Sequence, residues 1–161
     1  MTRRARRPLL YASFGQRTAA FLIDVIPITV LVATVFYVFL GFDETLNRYL
    51  EQGRQNAGVR AQFLAERNTI REVAGLAYVV YASIMQSTSW QATVGKRLIG
   101  IRVIDKNHRT MSFLRSLARS MTLLLSIVPA FIGCIAMLFS KTGRTWHDRA
   151  VNTDVVIGRS S

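Results

Sequence analysis

One stretch decides the class of this protein: residues 18–40 read TAAFLIDVIPITVLVATVFYVFL, with Asp24 as their only charged side chain. About 20 apolar residues cross the hydrocarbon core of a bilayer, so this stretch is long enough for a transmembrane helix. Pro27 in its interior predicts a kink, which membrane helices tolerate because neighbouring groups satisfy the freed carbonyl. The stretch therefore predicts a membrane-spanning helix that contains an acid.

Two further blocks, residues 73–95 and 120–140, contain no Asp, Glu, Lys or Arg, although the chain of 161 residues has a net charge of +12. A soluble chain of this length could not bury three such blocks in one core. We therefore predict apolar segments at about 18–40, 73–90 and 120–140. A polar extracytoplasmic loop, 43–72, and a basic cytoplasmic loop, 96–119, separate them.

The extracytoplasmic loop carries apolar side chains at helical spacing, in two groups that begin at Leu46 and at Val59. We expect short amphipathic helices that lie on the membrane surface and are broken near Gly53 and Gly58.

Positive charge sets the expected orientation. Residues 1–16 form a basic arm, and basic residues beside spans favour the cytoplasm, so the N-terminus is expected there. Three full spans would divide the basic residues 12 inside to 9 outside, whereas a C-terminus inside gives 16 to 5. The second division requires the third apolar block to be a re-entrant hairpin that bends at Pro129. The alternative is a plain third span.

Two short strands are predicted near the cytoplasmic face. Ile99, Ile101 and Val103 alternate with other residues before a turn signal at 105–107, and 153–157 is a second β-prone segment. A strand at 98–104 needs a partner for its edge, and 153–157 is the obvious one. The expected fold is an all-α membrane protein. It has two spanning helices, a third apolar segment and a minor cytoplasmic β-hairpin-like element, within a domain at 17–157 and a short tail at 158–161.

Residues 111–121 predict an interfacial helix. Phe113, Leu114 and Leu117 share one face, and Arg115 and Arg119 share the other. This pattern suits a helix whose arginines reach lipid headgroups, so both arginines are predicted to face lipid, with the bilayer and its anionic lipids as partners.

Asp24 is the strongest candidate for chemistry. An ionised and unpaired acid inside a spanning helix costs at least a few kcal/mol, so we expect it to be paired, protonated or facing water. Arg17 lies seven residues earlier, on the same helical face and about 10 Å away along the axis. One interpretation is a carboxylate that binds a proton or a cation. The other is a polar contact that holds helices together.

Other chemistry has little support in the sequence. Cys134 is the only cysteine, and with His108 and His147 it makes no metal-binding spacing. His147 beside Asp148 is a secondary candidate for titration, although an interfacial turn is the simpler interpretation. No nucleophile or phosphate-binding motif is present, so we expect no enzymatic activity, no cofactor and no metal. The basic residues flank apolar blocks, which argues against nucleic-acid binding.

Three segments resemble the RDD family of membrane proteins. The segment FGQRTAAFLID at 14–24 resembles the start of the family's first helix, with Arg17 and Asp24 in the family's arginine and first aspartate positions. The segment TVGKRLIGIRVID at 93–105 resembles its Gly-Lys-Arg stretch, and WHDRAVNTDVV at 146–156 resembles its closing motif. Asp148 then matches the second aspartate, and Asp105 is the rival assignment. Asn152 and Asp154 depart from a closing motif that is usually smaller and more apolar.

The resemblance covers about residues 12–157 and implies a multi-pass protein of the bacterial inner membrane. It also implies a suspected transport role, in which Arg17, Asp24 and Asp148 bind a proton, a cation or another small ligand. A chain with so few spans would then act as a homo-oligomer or with a membrane partner. Some relatives carry the domain beside unrelated modules, which fits the alternative of a scaffold or accessory role.

Overall fold

The structure is a computed structural model that describes residues 10–105, 110–127 and 153–157. The chain is mostly helical with a small sheet, as predicted. Its elements are α1 (Phe14–Phe39), α2 (Phe42–Gln52), α3 (Ala57–Ser87), α4 (Val94–Ile99), β1 (Ile101–Asp105), α5 (Phe113–Ile127) and β2 (Thr153–Ile157). The bend predicted at Pro129, the basic arm before residue 10 and the tail at 158–161 lie outside the described residues.

Helix α1 begins at a capping box and ends at a left-handed glycine. The Ser13 amide donates to Gln16 Oε1 (2.9 Å), and the Gln16 amide donates to Ser13 Oγ (3.3 Å). Gly41, at φ 73°, lies between α1 and α2 in a conformation that favours glycine. Among the described residues, α1 is the one helix that is both long and apolar enough to cross a membrane.

The contacts divide the chain into two units, and the first described here is Asp24–Tyr78. It contains an aromatic stack in which the Phe63 ring of α3 lies 4.1 Å from Tyr49 and 5.9 Å from Phe42 of α2. Beside the stack, the Thr45 hydroxyl donates to Glu66 Oε1 over 3.0 Å. These contacts fix α2 against the first turns of α3.

The expected break near Gly58 does not occur. The chain breaks between Gln52 and Ala57, and α3 then runs without interruption to Ser87. The Asn56 side chain accepts from the amides of Gly58 (2.9 Å) and Val59 (3.2 Å), so Gly58 lies in the first turn of the helix. The second predicted apolar segment, 73–90, is therefore the C-terminal part of a helix that begins in the polar loop. This helix ends at Ser87, three residues before the predicted end of the segment.

The second unit comprises Met1–Ile23 with Val79–Ser161 and contains the sheet. β1 and β2 pair in antiparallel register, with Val103 opposite Val155 and Asp105 opposite Thr153. The prediction that these two segments pair is confirmed. The predicted strand began too early, because residues 98 and 99 close α4 and Gly100, at φ 77°, separates α4 from β1.

A third segment joins the sheet. The Ala12 amide donates to the Val155 carbonyl (3.0 Å), and the Ile157 amide donates to the Leu10 carbonyl (2.9 Å). Under this backbone network lies a small buried cluster: Ala12, Ala20, Ile101, Val103, Met111 and Val155. Three segments that are far apart in the sequence therefore meet in one core.

Candidate functional site

Helix α1 has one buried stripe on a surface that is otherwise apolar and exposed. Leu22, Ile26 and Leu31 are 46%, 55% and 66% exposed, whereas Ala20 is fully buried and Asp24 is only 5% exposed. Positions 17, 20, 21, 24 and 28 are buried or half-buried and follow the helical repeat. The acid of this helix therefore lies on its inward stripe, opposite the apolar side chains.

Arg17 lies on the same stripe as Asp24, as the spacing predicts. Its Nε donates to the Ala12 carbonyl (3.3 Å), which ties the guanidinium to the segment that joins the sheet. Arg17 and Asp24 are seven residues apart in the helix, which is about 10 Å along its axis. Both have interaction partners within the protein.

Of the three other acidic or histidine candidates, Asp105 lies within the described residues. Asp105 ends β1 opposite Thr153, in the sheet rather than on a helix. Asp148 and His147 lie outside the described residues. Within the described ranges, no group of three His, Cys, Asp or Glu side chains could hold a metal ion.

Helix α5 presents Arg119 to the protein interior, whereas the sequence predicts that this arginine faces lipid. Arg119 is 4% exposed, so it is not the lipid-facing residue that the sequence predicts, whereas Arg115 is exposed. Leu114, on the apolar face, is 74% exposed, and Ser116 on the polar face is fully buried. In the first turns of this helix, Ser116, Arg119 and Ser120 therefore point into the protein, and Phe113, Leu114 and Met121 point out.

The buried guanidinium of Arg119 has a specific acceptor. Its Nη1 donates to Gln86 Oε1 of α3 over 2.6 Å, a short charge-assisted hydrogen bond. Gln86 is 2% exposed. Sequence reasoning missed this pair, although a glutamine inside an uncharged block was a signal for it. Among the described residues, Ser116 Oγ is buried near the start of α5 without a hydrogen-bond partner.

Exposed apolar helices around small and polar buried residues define a class of protein. This is the arrangement expected when lipid rather than water surrounds the helices, because polar groups then find their partners inside. Comparison with known families gives the same class. The sequence model of the RDD family matches residues 11–152, and the chain belongs to this family. No curated protein and no solved structure matches the chain. The family and the apolar helix together indicate a membrane protein.

Proposed function

We propose that this protein transports a proton or a small cation across the bacterial inner membrane, with Asp24 as the residue that binds it. The observation that carries this proposal is the burial of Asp24, which is 5% exposed on a helix whose other faces are apolar and exposed. A carboxylate in such a place is costly, and acids inside membrane helices commonly mark ion pathways.

The chemistry follows from the position of the acid. Protonation or cation binding neutralises the carboxylate and lowers the cost of exposing that stripe of α1 to an apolar surrounding. Asp24 already has a partner in the protein, so a bound proton or cation competes with that partner. Such competition couples ion binding to a change in helix contacts. Arg17, on the same stripe, tunes this balance through its positive charge.

The proposal also includes a second titratable group and either further copies of the chain or a membrane partner. Asp148, with His147 beside it, supplies a second titratable group from the segment that precedes β2. With one helix of clear spanning character in the described residues, a single chain makes a thin pathway, so we propose that the transporting unit is a homo-oligomer or a complex with a membrane partner.

A flux assay tests the role of Asp24. The full chain is reconstituted in vesicles that hold a dye sensitive to protons, to sodium or to potassium, and a gradient of the same ion is imposed. We expect flux from the wild type and a loss of at least tenfold in Asp24→Asn, which keeps the shape of the side chain and removes its charge.

Glu72→Gln is the matched control, because Glu72 is an exposed acid on α3. It is expected to keep the flux of the wild type. Equal flux from folded Asp24→Asn and from wild type contradicts the role of Asp24. The absence of flux from every protein contradicts transport and favours a different role.

That different role is a non-transporting membrane scaffold or accessory module. The hydrogen bond between Arg119 and Gln86 favours it, because buried polar groups also serve to fix how helices pack. Its signature is a loss of thermal stability in Asp24→Asn, measured by circular dichroism in detergent, with no transport in wild type.

We also propose that both ends of the RDD domain lie in the cytoplasm. Residues 10–12, β1 and β2 are joined by backbone hydrogen bonds, and the basic residues around them favour the cytoplasmic side. Segments that share a sheet share a side of the membrane, which requires an even number of crossings between Ala12 and β2, with α1 counted as one of them. In a Cys134→Ser background, a cysteine introduced after Ile157 is expected to resist a membrane-impermeant thiol reagent in intact cells and to react after lysis. Labelling in intact cells contradicts this topology.

A further inference from the structure

The turn between α3 and β1 carries exposed apolar side chains beside basic ones. Trp90 is 49% exposed, Val94 is 44% exposed and Leu98 is 70% exposed. Arg97 lies among them in sequence and is exposed as well. In a turn that faces water, the tryptophan and the leucine would be expected to be buried. Their exposure beside Arg97 indicates a surface that contacts both apolar groups and anionic groups.

This surface is held rigidly on the rest of its unit. The Val94 amide donates to the Tyr81 hydroxyl of α3 (2.9 Å), and the Val103 amide of β1 donates to the Gln91 carbonyl (2.8 Å). Thr93 caps α4 by accepting from the Lys96 amide (3.4 Å). The turn is therefore fixed to a helix on one side and to the sheet on the other.

Arg97 and Trp90 form a single recognition element. The guanidinium carbon of Arg97 lies 3.9 Å from the centre of the Trp90 ring, a cation–π contact. A guanidinium stacked by its flat face keeps its N–H groups at the edge of the plane, where they can bind a phosphate in bidentate fashion. Tryptophan itself favours the headgroup level of a bilayer.

We propose that Trp90, Val94, Arg97 and Leu98 form a binding site for an anionic phospholipid at the membrane interface. Arg97 binds the headgroup phosphate, Trp90 lies at the headgroup level, and Val94 and Leu98 contact the upper acyl chains. Charge complementarity identifies the occupant, because the chain carries a net charge of +12 and the exposed cation is flanked by apolar side chains. This inference rests on the membrane setting of the proposed function, and it is independent of transport.

Trp90 provides a local probe for this site. Trp146→Phe leaves Trp90 as the only tryptophan of the full chain. This protein is reconstituted in vesicles that contain either brominated phosphatidylcholine or brominated phosphatidylglycerol at the same mole fraction, and flotation confirms insertion. We expect strong quenching of Trp90 by bromine near the headgroup and weaker quenching by bromine deep in the acyl chains. We also expect brominated phosphatidylglycerol to quench more than brominated phosphatidylcholine.

Three variants separate charge from structure. Arg97→Gln is expected to reduce the phosphatidylglycerol preference by up to about fivefold, the effect of one basic residue at a membrane surface. Arg97→Lys is expected to keep most of the preference. Arg102→Gln, at an exposed arginine of β1, is the matched control and is expected to keep all of it.

Two results overturn the proposal. One is a Trp90 emission that neither brominated lipid quenches in a protein that floats with vesicles, which leaves the membrane assignment intact. The other is an equal loss of preference in Arg97→Gln and Arg102→Gln, which reduces the effect to overall charge.

Discussion

Helices α2 and α5 both have a polar and an apolar face, yet they bury opposite faces. In α2 the aromatic rings of Phe42 and Tyr49 stack on Phe63, and charged residues such as Glu44 and Arg48 are exposed. In α5 the polar side chains Ser116, Arg119 and Ser120 are buried, whereas Leu114 and Met121 are exposed.

The difference reflects what surrounds each helix. An amphipathic helix in water buries its apolar face, because removing apolar area from water is favourable. Lipid gives no such advantage, and polar groups then gain by pairing inside the protein. We therefore infer that α2 faces water and that α5 faces lipid.

The sharpest test places the same charge on both helices. Leu114 of α5 and Leu50 of α2 are 74% and 72% exposed, so they are matched in accessibility. We expect Leu114→Asp to destabilise the protein in bicelles by about 3 kcal/mol, near the cost of an aspartate in the apolar part of a bilayer. We expect Leu50→Asp to change the free energy of unfolding by no more than about 0.5 kcal/mol. Denaturation followed by circular dichroism measures both. Two equally small effects would show that α5 is not in contact with lipid.

The next effect concerns the polar contact that α5 buries. Gln86→Leu removes one acceptor of Arg119, and hydrogen bonds to charged groups contribute about 1.5–3 kcal/mol. We therefore expect a loss of about 2 kcal/mol in the free energy of unfolding in detergent.

The same substitution at Gln52, an exposed residue of α2, is the control and is expected to have an effect close to zero. A stable Gln86→Leu protein would mean that Arg119 finds an equivalent acceptor, and the hydrogen bond would then not anchor α5.

The smallest expected effect is the coupling energy between the stacked aromatic rings of α2 and α3. A double-mutant cycle between Tyr49 and Phe63, with alanine at each position, is expected to give a coupling of about 1 kcal/mol, typical of stacked aromatic pairs. The pair Phe42 and Phe63, whose rings are farther apart, should couple more weakly. Equal coupling energies would indicate that the stack contributes through burial rather than ring geometry.

Much of the fold was predictable from local pattern. The apolar run after Arg17 predicts α1, and the alternation around Val103 together with an unpaired strand edge predicts the pairing of β1 with β2. Asp24 and Arg17 lie on one stripe because a spacing of seven residues is close to two turns of helix. These features depend on short-range geometry, which the sequence carries directly.

The placement of Arg119 could not be predicted in the same way. A helical pattern defines two faces, but it does not say which one faces the protein, because that depends on the solvent and on partners such as Gln86. The extension of α3 through Gly58 was missed because glycine in a first turn is tolerated when a side chain such as Asn56 caps the helix. The early start predicted for β1 came from extending an alternating pattern across Gly100, whose left-handed conformation divides α4 from the strand.

The hydrogen bonds that join Leu10 and Ala12 to β2 also bear on the order of events during synthesis. Translation proceeds from the N-terminus, so residues 10–12 and β1 leave the ribosome well before β2 exists. Until then their backbone groups at this junction are open to water or to other chains, while α1 can already enter the bilayer. The sheet therefore forms late, when β2 pairs with β1 and with residues 10–12 after the first helices are in place. Contacts of such large sequence separation form slowly, so we expect newly made chains to be most vulnerable to proteases at the segments that form this sheet.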